Sequence, residues 1–321
     1  MQKSRRVFHL FTAMLLGGAI LLAGCGTSST NTGNNAAAGN NTGTGSGGDM
    51  TLQDIHGLAF SSDGKQLWVP SHDGIKIYEN GQWKQAEGPK NDYMGFSIVD
   101  KGFYSSGHPG TRSDLKNPLG IVKSTDDGKT VETLGMSGES DFHVMSVGYQ
   151  THAIYVDNEH PNSKMKGSGL FYSKDEAKTW TQSEAQGATG TLTSMAVHPA
   201  KESVVALGTD KGVYLSKDYG QTFEQILSDV QVTTLYFNKQ GNLYVGGTKT
   251  KAVLLLLNPD TKQTTEINIP ELNNDAVAYV AENQKNEQQI AFATYNKNVY
   301  TSSDAGKSWT KIANLGKTVS K

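Results

Sequence analysis

One unit of four short apolar runs recurs six times between residues 50 and 321, and this repeat leaves the chain few architectures to choose from. The first runs read HGLAF at 56–60, MGFSI at 94–98, HVMSV at 143–147, TSMAV at 193–197, TTLYF at 233–237 and AVAYV at 276–280. Second runs follow as QLWVPS, GFYSSG, AIYVDN, VVALGT, NLYVGG and QIAFAT. Third runs are GIKIYE, GIVKST, GLFYSK, GVYLSK, AVLLLL and NVYTSS, and fourth runs are QWKQAE, TVETLG, TWTQSE, TFEQIL, QTTEIN and SWTKIA. Each run is rich in β-branched or aromatic residues and is bounded by Gly, Asn, Asp or Ser, as strands joined by tight turns are. A sustained 3.6-residue period is almost absent.

Four strands and roughly 45 residues per copy are the dimensions of a β-propeller blade. One such sheet cannot cover both of its own faces, so the copies must pack around a common axis. The expected fold is all-β: a six-bladed β-propeller of four-stranded antiparallel blades spanning residues 50–321.

The turn between the third and fourth runs repeats a second pattern. It reads STDDGKTV at 124–131, SKDEAKTW at 173–180, SKDYGQTF at 216–223 and SSDAGKSW at 302–309. The aspartates are Asp126, Asp175, Asp218 and Asp304. A carboxylate there accepts the turn's own backbone N–H groups, a glycine supplies positive φ, and the final aromatic residue starts the outer strand. These turns resemble the Asp-box, or BNR repeat, of sialidases, sortilin-type receptors and photosystem II assembly-factor-like propellers. In that setting the box is a structural staple. Ala177 stands where the glycine is expected and Val131 where the aromatic residue is, and the first and fifth copies keep only remnants.

The start of the chain predicts export. Lys3, Arg5 and Arg6 precede an apolar stretch from Val7 to Leu22, and Leu22-Ala23-Gly24-Cys25 closes it. This segment resembles a bacterial lipoprotein signal, with 1–24 as the leader and Cys25 as the lipidated first residue of the mature chain. Cys25 is the sole cysteine, so no thiol remains for a disulfide, a metal or a nucleophile. Residues 25–49 carry almost no apolar side chain and read as a flexible Gly/Asn/Thr/Ser tether. The expected place is extracytoplasmic, lipid-anchored to the cell membrane. Losing three basic residues with the leader turns the net charge of −2 into −5, which argues against a nucleic-acid partner. A monomer is expected.

In a propeller, the loops entering the first strand and leaving the second lie on one face, near the axis. There the first three copies repeat Asp-x-(His/Met): Asp54 with His56, Asp92 with Met94, and Asp141 with His143. The second-strand exits add His72, Asp73 and His108, with Asp157 and Glu159 in the third copy. Later copies place threonine or alanine at these positions. Three readings are open. Imidazoles with carboxylate partners suit zinc, copper or nickel, a thioether tilts the choice toward copper, and the metal candidates are His56, His72, His108 and His143. The same groups suit a polar small molecule or sugar, or acid–base chemistry. Each histidine alone also fits a loop-capping role. The ligand-binding set is His56, His72, Asp73, Asp92, Met94, His108, Arg112 and His143, with Asp54, Asp141 and Asp73 as weaker catalytic candidates.

Arg112 is the only arginine beyond the leader. Sialidases clamp their substrate with an arginine triad, and lysine lacks the planar fork. Sialidase activity is therefore excluded, whereas ordinary glycoside hydrolysis needs only two suitably spaced carboxylates. Over residues 50–315 the chain resembles exported bacterial Asp-box propellers labelled glycosyl hydrolase or sortilin-like. The resemblance rests on the HGLAF, SHDGI, YMGFS, SGHPG, NPLGIVKSTDDGKT and DFHVMSV segments. It implies a hydrolase, but a shared fold does not fix a reaction. The leading expectation is an anchored propeller that binds a glycan or protein ligand through its His/Asp-rich face without catalysis. The alternatives are a glycoside hydrolase or lyase acting on extracellular glycan, and a copper- or zinc-binding lipoprotein.

Overall fold

The computed structural model describes residues 50–320 apart from residue 112. Cys25, the leader, the tether and Arg112 lie outside the described residues. The described chain forms six antiparallel sheets, each built from consecutive strands. Blade 1 holds β1 (Ala59–Phe60), β2 (Leu67–Ser71), β3 (Gly74–Glu79) and β4 (Gln82–Gln85). Blade 2 holds β5 (Asp92–Ile98), β6 (Phe103–His108), β7 (Ile121–Ser124) and β8 (Glu132–Gly135). Blade 3 holds β9 (Met145–Val147), β10 (Ile154–Asn158), β11 (Gly169–Ser173) and β12 (Thr181–Gln182). Blade 4 holds β13 (Leu192–Val197), β14 (Val205–Thr209), β15 (Gly212–Ser216) and β16 (Glu224–Leu227). Blade 5 holds β17 (Gln231–Phe237), β18 (Leu243–Thr248), β19 (Ala252–Leu257) and β20 (Thr264–Ile267). Blade 6 holds β21 (Val277–Asn283), β22 (Asn286–Thr294), β23 (Val299–Ser302), β24 (Thr310–Asn314) and a fifth strand, β25 (Lys317–Thr318). The six-bladed all-β propeller expected from the repeat is the fold observed.

Strand alternation explains why the sheets stand in a ring. Leu67 and Val69 of β2 enter an apolar core shared with blade 6, while Trp68 between them enters a core shared with blade 2. Likewise Val205 and Leu207 of β14 face blade 3, and Ala206 faces blade 5. Each of the six junctions between neighbouring blades thus has its own buried cluster. The first strands line the axis, and β21 returns to touch β1.

Closure uses a device the repeat pattern did not reveal. Met50–Leu52 lies against β25: Leu52 N–H donates to Gly316 O at 2.7 Å, and Thr318 N–H donates to Met50 O at 3.0 Å. The first described residues therefore finish the last blade. Trp83 reinforces this seam from blade 1. Its side chain is 1% exposed, and its indole N–H donates to Ile312 O of blade 6 at 3.0 Å.

The four Ser-x-Asp turns share one hydrogen-bond scheme. In the second copy, Ser173 Oγ donates to Asp175 Oδ1 at 2.8 Å and accepts from Ala177 N–H at 3.0 Å. Thr179 then donates to Asp175 through both its N–H and its hydroxyl, at 2.9 and 2.6 Å. The turn needs positive φ at its fifth residue: Gly128, Gly220 and Gly306 supply it, and Ala177 adopts φ +66°. The Ala177 methyl lies in the core between blades 2 and 3, a burial that offsets the strain. Val131, in the aromatic position, packs against the core between blades 1 and 2.

Trp83→Ala should lower unfolding free energy by about 3–5 kcal/mol in urea titrations. Trp83→Phe, which keeps apolar bulk and leaves Ile312 O with its second donor, the Val319 N–H, should cost about 0.5–1.5 kcal/mol. The hydroxyl and N–H donors of Thr179 and Ser308 hold the Asp175 and Asp304 carboxyls down to about 2, from an ordinary 3.8. A depressed carboxyl pKa contributes stability above the unfolded value that is lost as pH falls through the folded one. The melting temperature should therefore fall between pH 4 and 2, and an Asp175→Asn/Asp304→Asn variant should melt lower at neutral pH but lose less across that window.

Candidate functional site

The axial face is organised by where the first strands of five of the six blades break their register. Ile55 pairs with Ser71 and Ala59 with Trp68, so the segment between them bulges and His56 lines the axial cavity. Blades 2, 4, 5 and 6 also interrupt the register of their first strands. At the second-strand exit of blade 1, Ser71 pairs with Gly74 across a two-residue turn, which lifts His72 toward blade 2.

Two imidazole–carboxylate groups result, each bridging a junction between blades. At the first, Asp92 opens β5 with its side chain only 7% exposed, and it faces two histidines of blade 1. His72 Nδ1 lies 2.8 Å from Asp92 Oδ2, and His56 Nε2 lies 3.3 Å from Asp92 Oδ1. The latter contact is misaligned for hydrogen bonding, so His56 Nε2 and Asp92 Oδ1 are buried without a partner. One ligand atom from each of the three residues lies within 4.8 Å of the others. Among the described residues no other group of three His, Cys, Asp or Glu converges this closely.

The second group repeats the first by one blade. His108, at the exit of β6, places Nε2 3.0 Å from Asp141 Oδ2, and His143 Nε2 approaches the same oxygen at 3.4 Å. His108 Nδ1 contacts Asn117 Oδ1 at 2.7 Å, so the ring is held on both sides. Ser106 Oγ sits 3.5 Å from Asp141 Oδ1 and accepts the Phe142 N–H at 2.9 Å, tying the carboxylate to β6. The four histidines that the sequence placed on one face are thus two pairs, each sharing one aspartate.

His56 and His143 both line an axial cavity of about 230 Å³. Thr193, Thr233, Tyr279 and Tyr295 complete its wall on that side, and Tyr149, Tyr236 and Gln284 line it farther along the first strands. Burial pushes the Tyr279 phenol up to about 12. Beside the second group, burial raises the Asp157 carboxyl, with the charge of Glu159 adding to it.

The remaining candidates sit elsewhere on the face. Asp73 pairs with Lys76 Nζ at 2.7 Å, and Asp54 is exposed and 3.8 Å from Lys297 Nζ of blade 6. Met94 is half-buried on β5 and does not line the cavity. The convergent donors of the first group are therefore nitrogen and oxygen, and the thioether argument for copper gains nothing from the geometry. Tyr295 was not singled out from sequence, although it follows the QIAFAT strand where His72 and His108 follow theirs.

Comparison with known proteins adds the fold's relatives. A family model described as Sortilin-Vps10 (sortilin, neurotensin receptor 3) matches residues 120–268, which takes in Asp141 and His143 but not the first group. A xyloglucanase of Hypocrea jecorina is 30% identical over 119 residues, covering 34% of this chain and 14% of that enzyme. Among solved structures, the GH74 xyloglucanase of Xanthomonas campestris superposes with a TM-score of 0.52 at 14% identity, over 83% of this chain and 47% of that one. An oligogalacturonate lyase of Vibrio parahaemolyticus gives 0.51 at 13% identity, over 82% and 78%. The chain is a six-bladed propeller related in fold to sortilin-like and glycoside-hydrolase-like proteins. It spans only part of the xyloglucanases it matches, and at these identities the solved structures carry the fold alone.

Proposed function

We propose that His56, His72 and Asp92 hold a divalent first-row transition metal at the mouth of the axial cavity, and that this site serves an extracellular carbohydrate. The observation that carries the metal is the pair of buried, unpartnered ligand atoms, His56 Nε2 and Asp92 Oδ1, 3.3 Å apart. Buried polar atoms left unpaired are costly, and a metal is one partner that would satisfy both. A tetrahedron with bonds of about 2.0–2.1 Å has edges of roughly 3.3–3.4 Å, close to that separation. Two imidazoles and one carboxylate also leave a coordination position open, as catalytic sites do. The set suits zinc, copper, iron or nickel.

The carbohydrate half of the proposal is supported by the 30%-identical stretch shared with a xyloglucanase. A bound metal would polarise a sugar hydroxyl or carboxylate oxygen. His108 and His143 on Asp141 would move protons beside it. On this reading the protein is a hydrolase or lyase held at the cell surface through Cys25. A second reading, capture of the same ligand without turnover, fits the same face, because Asp54 and Asp73 are paired with lysines rather than with each other.

Calorimetric titration with zinc should give one equivalent bound to the purified chain. His56→Ala and His72→Ala should each weaken it by more than the roughly 10–100-fold that losing a supporting residue costs. His160→Ala, at an exposed position, should leave it unchanged. Absence of stoichiometric zinc, copper, iron or nickel would remove the metal. With metal bound, new reducing or unsaturated ends from a glycan panel, abolished by chelation, favour the enzyme; binding without product favours capture.

A further inference from the structure

The axial face has a third member that extends the paired groups into blade 6. At two consecutive junctions a histidine at the exit of one blade's second strand contacts an aspartate entering the next blade, and at a third the same exit position holds a tyrosine. His72 precedes Asp92 at the junction of blades 1 and 2, and His108 precedes Asp141 at that of blades 2 and 3. Tyr295 directly follows β22 at the junction of blades 6 and 1, where Lys297 of the same turn reaches Asp54 at 3.8 Å. The corresponding exits in blades 3, 4 and 5 present Glu159, Asp210 and Thr248, none of them aromatic.

Tyr295 is unusual in its exposure. Large apolar side chains of the described chain are buried or half-buried except Tyr295, Leu315 and Val319, and Tyr295 is 61% exposed. Of the three, only Tyr295 lines the axial cavity, sharing its wall with His56. Its backbone N–H donates to Ala276 O at 3.2 Å, so the exposed ring stands on a fixed strand end. An exposed aromatic face beside polar, oxygen-seeking groups matches the two-sided character of a sugar ring, whose C–H face is apolar and whose edge carries oxygens. A row of such positions over three junctions matches a chain of sugars better than one.

We propose that the site is a crescent running from blade 6 to blade 3 that takes an oligosaccharide, with Tyr295 stacking against one sugar ring while His56, His72 and Asp92 meet oxygens of the next. The proposal rests on the carbohydrate reading above. It adds the length of the ligand, its direction across the face and a residue that sets affinity.

The test is calorimetry on the zinc-loaded full chain with two ladders of one to four sugars, one of xyloglucan fragments and one of oligogalacturonates. The arms separate neutral from acidic sugars. At least one ladder should bind more tightly as it lengthens from one to three sugars. Tyr295→Ala should weaken the trimer roughly tenfold, since one stacking contact is worth about that much. Tyr295→Phe should bind within about twofold of the parent. Zinc affinity should be the same in all three proteins. If Tyr295→Ala binds the trimer as tightly as the parent, the platform is wrong while the metal and carbohydrate readings stand. Equal loss in both variants, or a loss of zinc affinity with either, assigns Tyr295 a structural role and overturns the stacking. No binding of either ladder to the loaded parent overturns the crescent and the carbohydrate reading together, and points to a protein ligand.

Discussion

Every sheet in this molecule is apolar on both faces, and that fact governs the rest. A single blade leaves half of its buried residues without a partner, so stability arises only when each sheet is sandwiched between two others. The six junction cores are the result, and the ring is their only arrangement without an exposed end. The seam between blades 6 and 1 must therefore be as well made as the others. It is made with backbone bonds from Met50–Leu52 to the last strand, a core of Leu58, Val69, Ala291 and Ile312, and the Trp83 indole reaching across.

The functional groups inherit their geometry from the same junctions. Neither Asp92 nor Asp141 is paired mainly with its own blade: Asp92 takes two histidines of blade 1, and Asp141 takes His108 of blade 2. Blade packing thus sets the imidazole–carboxylate distances, and any change in the tilt of one blade against the next would open them. Burial of Asp92 adds to this. A carboxylate 7% exposed between two imidazoles is held in a place where water cannot easily replace a missing partner.

Much of this was legible in the chain. Period-two runs bounded by turn residues gave the strands, and their count gave the blades, because both signals are local. The crowding of His56, His72, His108 and His143 on one face was also readable, since strand order alone decides which loops share a face. Their division into two groups was not. It depends on contacts between residues of different repeats and on the bulge that turns His56 to the axis. Met94 shares the Asp-x-(His/Met) spacing with His56, yet the β5 register breaks only after Met94, and Met94 stays off the cavity wall. The closing strand β25 is two residues long, too short to leave a pattern. Tyr295 was readable in principle, as a ring directly after the second strand, but a count of polar residues passes over it.

Two neighbouring blades together build one metal-capable triad of His56, His72 and Asp92. Crystals of the chain soaked in zinc, with data collected on either side of the zinc absorption edge, test it directly. One strong anomalous peak is expected about 2.0–2.2 Å from His56 Nε2, His72 Nδ1 and an Asp92 carboxylate oxygen. A map with no peak there at full zinc saturation, or with the ion held only by surface carboxylates, would contradict it.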